Sequence, residues 1–411
     1  MNTESEFMIS EEMLLYTSID GLHLYNTANN FSHFMFKGLE AEVVESINRY
    51  HNLQQVWSQI SEAHSVKESS KAKQSFMSYI ERLYTKHIIE YGSEDKVIMG
   101  KSDRICPLFC SIELTDICNF KCSHCYKEAG SSCEGYISME EIEMVAKNLR
   151  PYLYSIDLTG GEATLHPKFN EIVRKLEGPK LHLLTNGSRL VDVDDDILKR
   201  FEIIQVSLYG KSAEEYVKFA GNHGFDKVCK GIKKVIALQI PIVIAINLRE
   251  DVVDDLESYI RICEELGAKS IRFGIPLKSG RNDGVIADWD ISSDKMAEFV
   301  NKNLILREKY RNMRIEAFTE DDVRKEVKLP DSKTRIVCGA GKSDICISEK
   351  GIIRPCVMLP EKYFGSMTVK EYVDHLENGI NYDYSHNIQR AVDELRDKGK
   401  SIDSFCESAF A

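Results

Sequence analysis

The stretch Cys118-Asn119-Phe120-Lys121-Cys122-Ser123-His124-Cys125 places three cysteines within eight residues. A structural zinc ion usually takes four protein ligands, and no fourth ligand follows at the spacing of a zinc finger. Four-cysteine iron–sulfur sites of the ferredoxin type use a different run. A cubane cluster held by three thiolates leaves one iron without a protein ligand, and such an open position can bind a small molecule. The spacing therefore favours an open [4Fe–4S] cluster over a redox pair or a chance grouping.

This stretch, residues 118–125, is called the cysteine loop below. It follows the first of six apolar strand patterns that alternate with amphipathic helix patterns, namely LFCSIEL, SIDLTGGE, KLHLLTNG, EIIQVSLYG, PIVIAINL and SIRFGIPL. Apolar strands in such a series predict an α/β fold with a parallel sheet covered by helices. Six right-handed units predict a partial (β/α)6 barrel with its chemistry at the C-terminal ends of the strands, where the cysteine loop lies.

Composition limits the classes of partner. The chain has 411 residues, a formal net charge of −12 and no apolar run of membrane length, so we expect neither a nucleic-acid nor a membrane partner. The acidic first residues do not resemble a secretory signal, and we expect a cytoplasmic protein. Stable disulfides are rare in that compartment, so the 12 cysteines indicate metal or redox chemistry.

The C-x3-C-x2-C motif after a first strand, together with LTGGEATLHP at the end of the second, resembles the radical S-adenosylmethionine (SAM) superfamily. The resemblance implies that Cys118, Cys122 and Cys125 hold a [4Fe–4S] cluster whose fourth iron binds SAM through its amino and carboxylate groups. It further implies that an electron from the cluster splits SAM into methionine and a 5′-deoxyadenosyl radical, which takes a hydrogen atom from the substrate. An external electron donor such as flavodoxin or ferredoxin is also implied.

The same resemblance suggests which residues contact SAM. They lie in the cysteine loop or near the ends of strands: His124, Thr159, Gly160, Gly161, Glu162, Asn186, Ser207 and Arg272. Asn186 and Ser207 are alternatively ordinary strand-end turn residues, and His124 is alternatively solvent-exposed. Many relatives carry an arginine after the fourth strand to bind the SAM carboxylate, but YVKFAGNHGF has none. Arg272 is the substitute we consider, and its alternative role is an ion pair within the barrel.

The C-terminal part contains four more cysteines. Cys338-Gly-Ala-Gly and Pro355-Cys356 resemble the start of a SPASM or twitch domain, a small α+β extension that binds auxiliary iron–sulfur clusters. Too few cysteines are present for two clusters, so we expect one, of [4Fe–4S] or [2Fe–2S] type. Its candidate ligands are Cys338, Cys346, Cys356 and Cys406. Cys346 lies inside a predicted strand of a hairpin and is alternatively a core residue, and all four are alternatively buried thiols without a cluster.

The N-terminal part predicts short strands (MLLYTS, LHLYNT and FSHFMF) followed by three helices, a winged-helix-like pattern. It resembles a PqqD-like RiPP recognition element, a module that binds the leader segment of a ribosomally made peptide. The resemblance implies that the leader adds as an extra strand. A dimerisation or DNA-binding wing is the alternative.

Together these patterns predict four segments: a recognition element over 1–92, a linker over 93–105, the radical SAM barrel over 106–320 and a twitch-like domain over 321–411. The expected activity is maturation of a ribosomal precursor peptide by formation of a thioether cross-link of the sactipeptide or ranthipeptide type. Carbon–carbon cross-linking, epimerisation and sulfatase maturation are alternatives within the superfamily. An iron–sulfur electron carrier or a peptide-binding adaptor is the alternative of a different class.

Overall fold

The computed structural model describes residues 4–27, 33–66, 69–130, 135–274, 281, 291–317, 339–357 and 366–380. Cys338 and Cys406 lie outside this part of the chain. The contacts divide the chain into two units. The first contains the described residues up to Cys106, and the second contains those from Pro107 to Asn378.

The first unit combines two small sheets with three helices. Its elements are β1 (Phe7–Ile9), β2 (Met13–Ser18), β3 (Gly21–Asn26), β4 (His33–Phe36), α1 (Leu39–Tyr50), α2 (Leu53–Ala63), α3 (Ser70–Thr85), β5 (Ile89–Tyr91) and β6 (Ile98–Gly100). Among the described residues, one sheet has the order β4-β3-β2-β6, and β1 pairs with β5. The three strands and three helices predicted for this part of the chain are confirmed.

Local sequence explains these elements. Strands β2 and β3 meet at a tight turn in which Ser18 pairs with Gly21, as the Asp20-Gly21 signal predicts. The Asn52 side chain caps α2 by accepting from two backbone N–H groups, and the Ser69 side chain caps α3 by accepting from the Ala72 N–H. Strand β6 lies within the segment predicted as a linker and pairs in parallel with β2, so this part of the segment belongs to the first unit.

The second unit is built on one large sheet. Its strands are β7 (Phe109–Glu113), β8 (Ser155–Thr159), β9 (Lys180–Thr185), β10 (Phe201–Ser207), β11 (Ile242–Asn247), β12 (Ser270–Gly274), β13 (Arg314–Ala317), β14 (Asp344–Ile347) and β15 (Ile353–Arg354). Within the described residues the order is β13-β12-β11-β10-β9-β8-β7-β14-β15. Only β15 runs antiparallel to its neighbour in this described sheet. The sheet confirms the predicted α/β partial barrel.

Helices connect the parallel strands from β7 to β13, and one further helix follows β15. They are α4 (Met139–Met144), which continues as a π-helical turn over Val145–Leu149, α5 (Phe169–Lys175), α6 (Asp195–Leu198), α7 (Ala213–Ala220), α8 (Phe225–Ala237), α9 (Glu250–Asp254), α10 (Leu256–Leu266), α11 (Ser293–Lys309) and α12 (Val369–Glu377). The predicted capping box is present at the start of α4, where Ser138 and Glu141 satisfy each other's backbone N–H groups. Because the strands are parallel, the segments that leave their C-terminal ends meet at one edge of the sheet.

Three strands extend the sheet beyond the six predicted for the barrel. Strand β13 adds a seventh parallel strand next to β12. The predicted C-terminal hairpin forms as β14 and β15, and β14 pairs in parallel with β7, placing Ile345 opposite Cys110. This hairpin therefore belongs to the same sheet as the strand that precedes the cysteine loop.

Candidate active site

The cysteine loop lies beyond the C-terminal end of β7. Cys118 and Cys122 are buried and Cys125 is half-buried. Burial raises the pKa of the Cys118 thiol to about 11. Burial, reinforced by the neighbouring Cys118 and Cys125, raises that of Cys122 to about 12. Cys118 and Cys122 therefore keep their protons at neutral pH until a cation offsets the negative charge of their thiolates.

The three cysteines of the loop fit a cubane iron–sulfur cluster better than a single metal ion. In the described part of the chain, no group of three or more His, Cys, Asp or Glu side chains is drawn together tightly enough to hold one metal ion. Each thiolate ligand of a cubane binds a different iron, so the sulfurs need not converge on one point. Two buried thiols and one half-buried thiol on one loop meet that requirement.

The C-terminal end of α7 supports the outer side of the cysteine loop. The Lys121 N–H donates to the Ala220 carbonyl at 3.1 Å, and the Ser123 N–H donates to the Phe219 carbonyl at 3.3 Å. Gly221 ends the helix with φ of +61°, and a Cβ there would lie 3.0 Å from the Lys121 carbonyl oxygen. Loop N–H groups therefore satisfy carbonyls that a helix end leaves free.

The Gly160-Gly161 pair supports the start of the loop. The Gly161 N–H donates to the Thr115 carbonyl at 2.6 Å, and the Glu162 N–H donates to the Ile117 carbonyl at 2.8 Å. A Cβ on Gly160 would lie 2.5 Å from the Thr115 carbonyl oxygen, and one on Gly161 would lie 2.7 Å from the Ile117 carbonyl carbon. The glycines are therefore needed for close contact with the backbone that leads into Cys118.

Glu162 links the ends of β8 and β9. Its side chain is fully buried. One carboxylate oxygen accepts from the Thr164 hydroxyl at 2.6 Å and the Thr185 hydroxyl at 2.7 Å. The other accepts from the Asn186 N–H at 2.7 Å. A buried carboxylate needs such partners, and here they hold Asn186 in place.

Asn186 reaches the cysteine loop directly. Its side-chain amide donates to Asn119 Oδ1 at 2.9 Å and to Cys118 Sγ at 3.8 Å. Its own Oδ1 accepts from the Ser188 hydroxyl at 2.7 Å. The structure thus brings together Asn186, the Gly-Gly-Glu motif and the first cysteine.

Three further candidate SAM contacts are Thr159, Ser207 and His124. Thr159 ends β8, and its carbonyl accepts from the Leu114 N–H at 2.9 Å. Ser207 ends β10, and its carbonyl accepts from the Tyr216 hydroxyl at 3.2 Å. His124 contacts the Tyr209 ring, with centroids 5.1 Å apart. Burial lowers the pKa of His124 to about 3, so its imidazole is neutral at physiological pH.

Arg272 forms an ion pair in this structure. Its guanidinium lies 3.1 Å from Glu316 on β13 and donates to Gln205 at 3.1 Å. This geometry matches the alternative of a barrel ion pair.

Two other arginines were missed by the sequence analysis. Arg281 donates from its Nε to the Cys122 carbonyl at 2.9 Å, and its N–H donates to the Cys125 carbonyl at 3.0 Å. Arg249 is almost fully buried and stacks on the Phe219 ring, 3.6 Å from its centroid. Nothing in the SGRNDG segment around Arg281 indicates that it contacts a loop so distant in sequence.

Of the C-terminal cysteines, the described part of the chain includes Cys346 and Cys356. Cys346 is 1% exposed, and its Sγ accepts from Arg354 at 3.6 Å. Its thiol pKa is raised by burial. Cys356 is half-buried and follows β15. The position of Cys346 favours the core alternative.

We expect Cys346→Ala to leave the iron content per chain unchanged while lowering thermal stability, because the variant removes a packed thiol and a hydrogen-bond acceptor rather than a ligand. Iron and sulfide analysis of the anaerobically reconstituted protein checks this. Cys263→Ala, which removes another fully buried thiol, is the matched control. Loss of iron confined to the Cys346 variant would identify it as a ligand.

Comparison with known proteins identifies the fold around this site. The Radical SAM superfamily profile matches residues 112–263, which span β7 through most of α10 and include the cysteine loop. The chain contains a radical SAM domain.

Two curated relatives from Bacillus subtilis (strain 168) share this domain. The antilisterial bacteriocin subtilosin biosynthesis protein AlbA is 26% identical over 304 residues, which cover 71% of this chain and 65% of the relative. The sporulation killing factor maturation protein SkfB is 27% identical over 206 residues, which cover 49% of this chain and 50% of the relative. The chain therefore spans between half and just under two thirds of the length of these relatives.

Solved structures share the fold. Streptococcus suis SuiB bound to precursor peptide SuiA matches with a TM-score of 0.63 at 15% identity, covering 92% of this chain and 89% of that one. Native anSMEcpe with bound AdoMet matches with a TM-score of 0.52 at 18% identity, covering 64% and 80%. Among the described residues, no helix has the length and hydrophobicity needed to cross a membrane.

Proposed function

We propose that this chain is a radical SAM enzyme that modifies a ribosomally made precursor peptide and forms a thioether cross-link in it. The observation that carries the proposal is the cysteine loop, whose three neighbouring thiols lie at the C-terminal edge of a parallel sheet. The similarity to a bacteriocin biosynthesis protein and to a sporulation killing factor maturation protein supports a peptide substrate. The fold shared with SuiB, solved with a precursor peptide, is compatible with that class.

In this proposal Cys118, Cys122 and Cys125 hold the [4Fe–4S] cluster. When bound, the cluster and SAM supply a 5′-deoxyadenosyl radical that abstracts a hydrogen atom from the peptide. The chain's own residues orient and shield this site. Gly160 and Gly161 hold the entrance of the loop by backbone contacts.

The SAM contacts we propose are the residues named from the resemblance: His124, Thr159, Gly160, Gly161, Glu162, Asn186, Ser207 and Arg272. Glu162 accepts hydrogen bonds from protein groups on both carboxylate oxygens, so we assign it the task of holding Asn186. Neutral His124 next to Tyr209 offers an uncharged surface for a planar ring.

We further propose that the first unit binds the leader peptide. Strand β4 lies at one edge of its described four-stranded sheet, and an open edge can accept an added strand through backbone hydrogen bonds. The domain boundaries given above, one auxiliary cluster held by C-terminal cysteines, an external flavodoxin or ferredoxin and a cytoplasmic location belong to the same proposal.

The test is to incubate anaerobically reconstituted protein with SAM, a reductant and candidate precursor peptides encoded near its gene. We expect 5′-deoxyadenosine and a peptide lighter by two hydrogen atoms, one from a cysteine thiol and one from carbon. Fragmentation and thiol alkylation locate the link and distinguish a thioether from a carbon–carbon link. SAM cleavage with no change in any peptide would refute the peptide substrate, and peptide binding without SAM cleavage would indicate an adaptor.

A further inference from the structure

Four buried charged side chains connect the cysteine loop to the C-terminal hairpin. Lys127 Nζ lies 2.6 Å from Glu113 Oε2 and 2.6 Å from Glu349 Oε2. Arg354 forms an ion pair with the same Glu113 oxygen. The side-chain exposures of Glu113, Glu349, Arg354 and Lys127 are 0%, 6%, 9% and 12%. Two cations and two anions therefore balance one another away from water.

These four charged residues lie on both sides of the cysteine loop and in the C-terminal hairpin. Glu113 ends β7, immediately before the segment that leads into the cysteine loop. Lys127 follows Cys125 by two residues. Glu349 lies in the turn of the β14–β15 hairpin, and Arg354 ends β15. One set of ion pairs thus joins both ends of the loop to a hairpin more than 200 residues later in the chain.

The hairpin is itself held firmly at its turn. Gly351 has φ of +72°, and a Cβ there would fall within contact distance of the Glu141 carboxylate in the capping box of α4. A Cβ on Gly135 would lie 2.8 Å from Glu349 Cγ. The turn therefore has little room to shift without moving Glu349.

Removing one partner of a buried charge pair leaves an uncompensated charge, so the remaining groups must move or take up water. If Glu349 lost its charge or moved away from Lys127, the ion pair between Lys127 and Glu349 would be lost and the one with Glu113 would remain. A shift of Lys127 would be passed to Cys125, because only Tyr126 separates the two residues and its hydroxyl lies 3.5 Å from Glu113 Oε1.

We propose that Lys127 and Glu349 are positioning residues that couple the Cys125 end of the cysteine loop to the β14–β15 hairpin, so that a change in the hairpin is transmitted to the proposed SAM site. The expected effect on catalysis rests on the proposed function, whereas the coupling between the loop and the hairpin does not. Cys356 follows Arg354 by two residues, so a structural change at the C-terminal cysteines would reach the cysteine loop through these ion pairs.

The first test uses the full-length protein without iron, which makes it independent of the proposed function. Alkylation of each cysteine by iodoacetamide is followed over time by peptide mass spectrometry in the wild type, Glu349→Gln and Lys127→Met. In both variants iodoacetamide should alkylate Cys125 several-fold faster than in the wild type. Half-buried Cys229, on α8, should react at the wild-type rate. Lys350→Met is the matched control, because Lys350 is 67% exposed and lies 4.0 Å from the other Glu349 oxygen.

The second test uses the reconstituted protein. Groups behind metal ligands typically change metal affinity or activity by about 10- to 100-fold when mutated. We expect Lys127→Met and Glu349→Gln to change the electron paramagnetic resonance spectrum of the reduced protein with SAM in the same way, and to weaken SAM binding by about 10-fold. The double variant Lys127→Met/Glu349→Gln should show no more than the larger single effect, since the two residues act through one contact.

The outcomes separate the two proposals. Unchanged Cys125 alkylation in a folded Glu349→Gln protein would overturn the coupling, even if the wild type cleaves SAM. Faster alkylation of Cys125 in a protein that never cleaves SAM would support the coupling and refute the proposed function. A melting curve for each variant excludes global unfolding, which would raise the reactivity of Cys229 and Cys263 as well.

Discussion

Replacing Gly161 with alanine is expected to reduce SAM cleavage by about 100-fold or more, because a displacement of about 1 Å at a reactive site can cost that much. The added methyl group would collide with the Ile117 backbone, and backbone cannot yield as a flexible side chain does. The collision would separate Gly161 from Thr115 and Glu162 from Ile117, which releases the segment entering Cys118. The measurement is the rate of 5′-deoxyadenosine formation, together with iron content per chain.

Gly130→Ala is the matched control for this substitution. The Gly130 carbonyl accepts from the Cys118 N–H, so it borders the same loop, yet a Cβ there meets no atom within 4 Å in the described part of the structure. We expect near-normal activity and iron content. If Gly161→Ala behaved like Gly130→Ala, the contact between the Gly-Gly motif and the loop would not matter.

Replacing Glu162 with glutamine is expected to lower the free energy of unfolding by about 1–3 kcal/mol and to weaken SAM binding. The variant keeps the shape of the side chain but introduces an NH2 group opposite hydrogen-bond donors. If the amide oxygen faces the two threonine hydroxyls, the new NH2 group faces the Asn186 N–H. Asn186 would then lose its anchor and its contact with Cys118. Denaturant unfolding and SAM titration measure the two effects.

A graded control is Thr164→Val, which removes one hydroxyl donor to Glu162 and leaves the Asn186 contact intact. It should cost less stability than Glu162→Gln and leave SAM binding close to that of the wild type. Equal effects of the two variants on SAM binding would argue that Glu162 does not act through Asn186.

The six core strands could be predicted because each is a continuous apolar run followed by a helix of clear periodicity. Strand β13 could not, since Arg-Ile-Glu-Ala is short and half charged, and its pairing with β12 stabilises it. Strand β6, Ile-Met-Gly, is only three residues long and lies within a polar segment, and its pairing with β2 stabilises it. Tertiary pairing decides such short strands.

The three loop cysteines could be predicted from their spacing, and the strand-end motifs from their position. The partners of these residues could not. The close approach of the Gly160-Gly161 pair to the backbone leading into the loop has no signal in the sequence. Lys127 and Glu349 carry no sequence signal of their contact, because a register between β7 and β14 has to form before they meet.

The most direct test of the whole account is 5′-deoxyadenosine formation by anaerobically reconstituted protein, comparing the wild type with Cys118→Ala/Cys122→Ala/Cys125→Ala. If Cys118, Cys122 and Cys125 hold the cluster that cleaves SAM, we expect an iron-dependent product in the wild type and none above background in the triple variant, even though the proposed auxiliary cluster would leave iron in that variant. Nucleoside formation by the triple variant at the wild-type rate would contradict it.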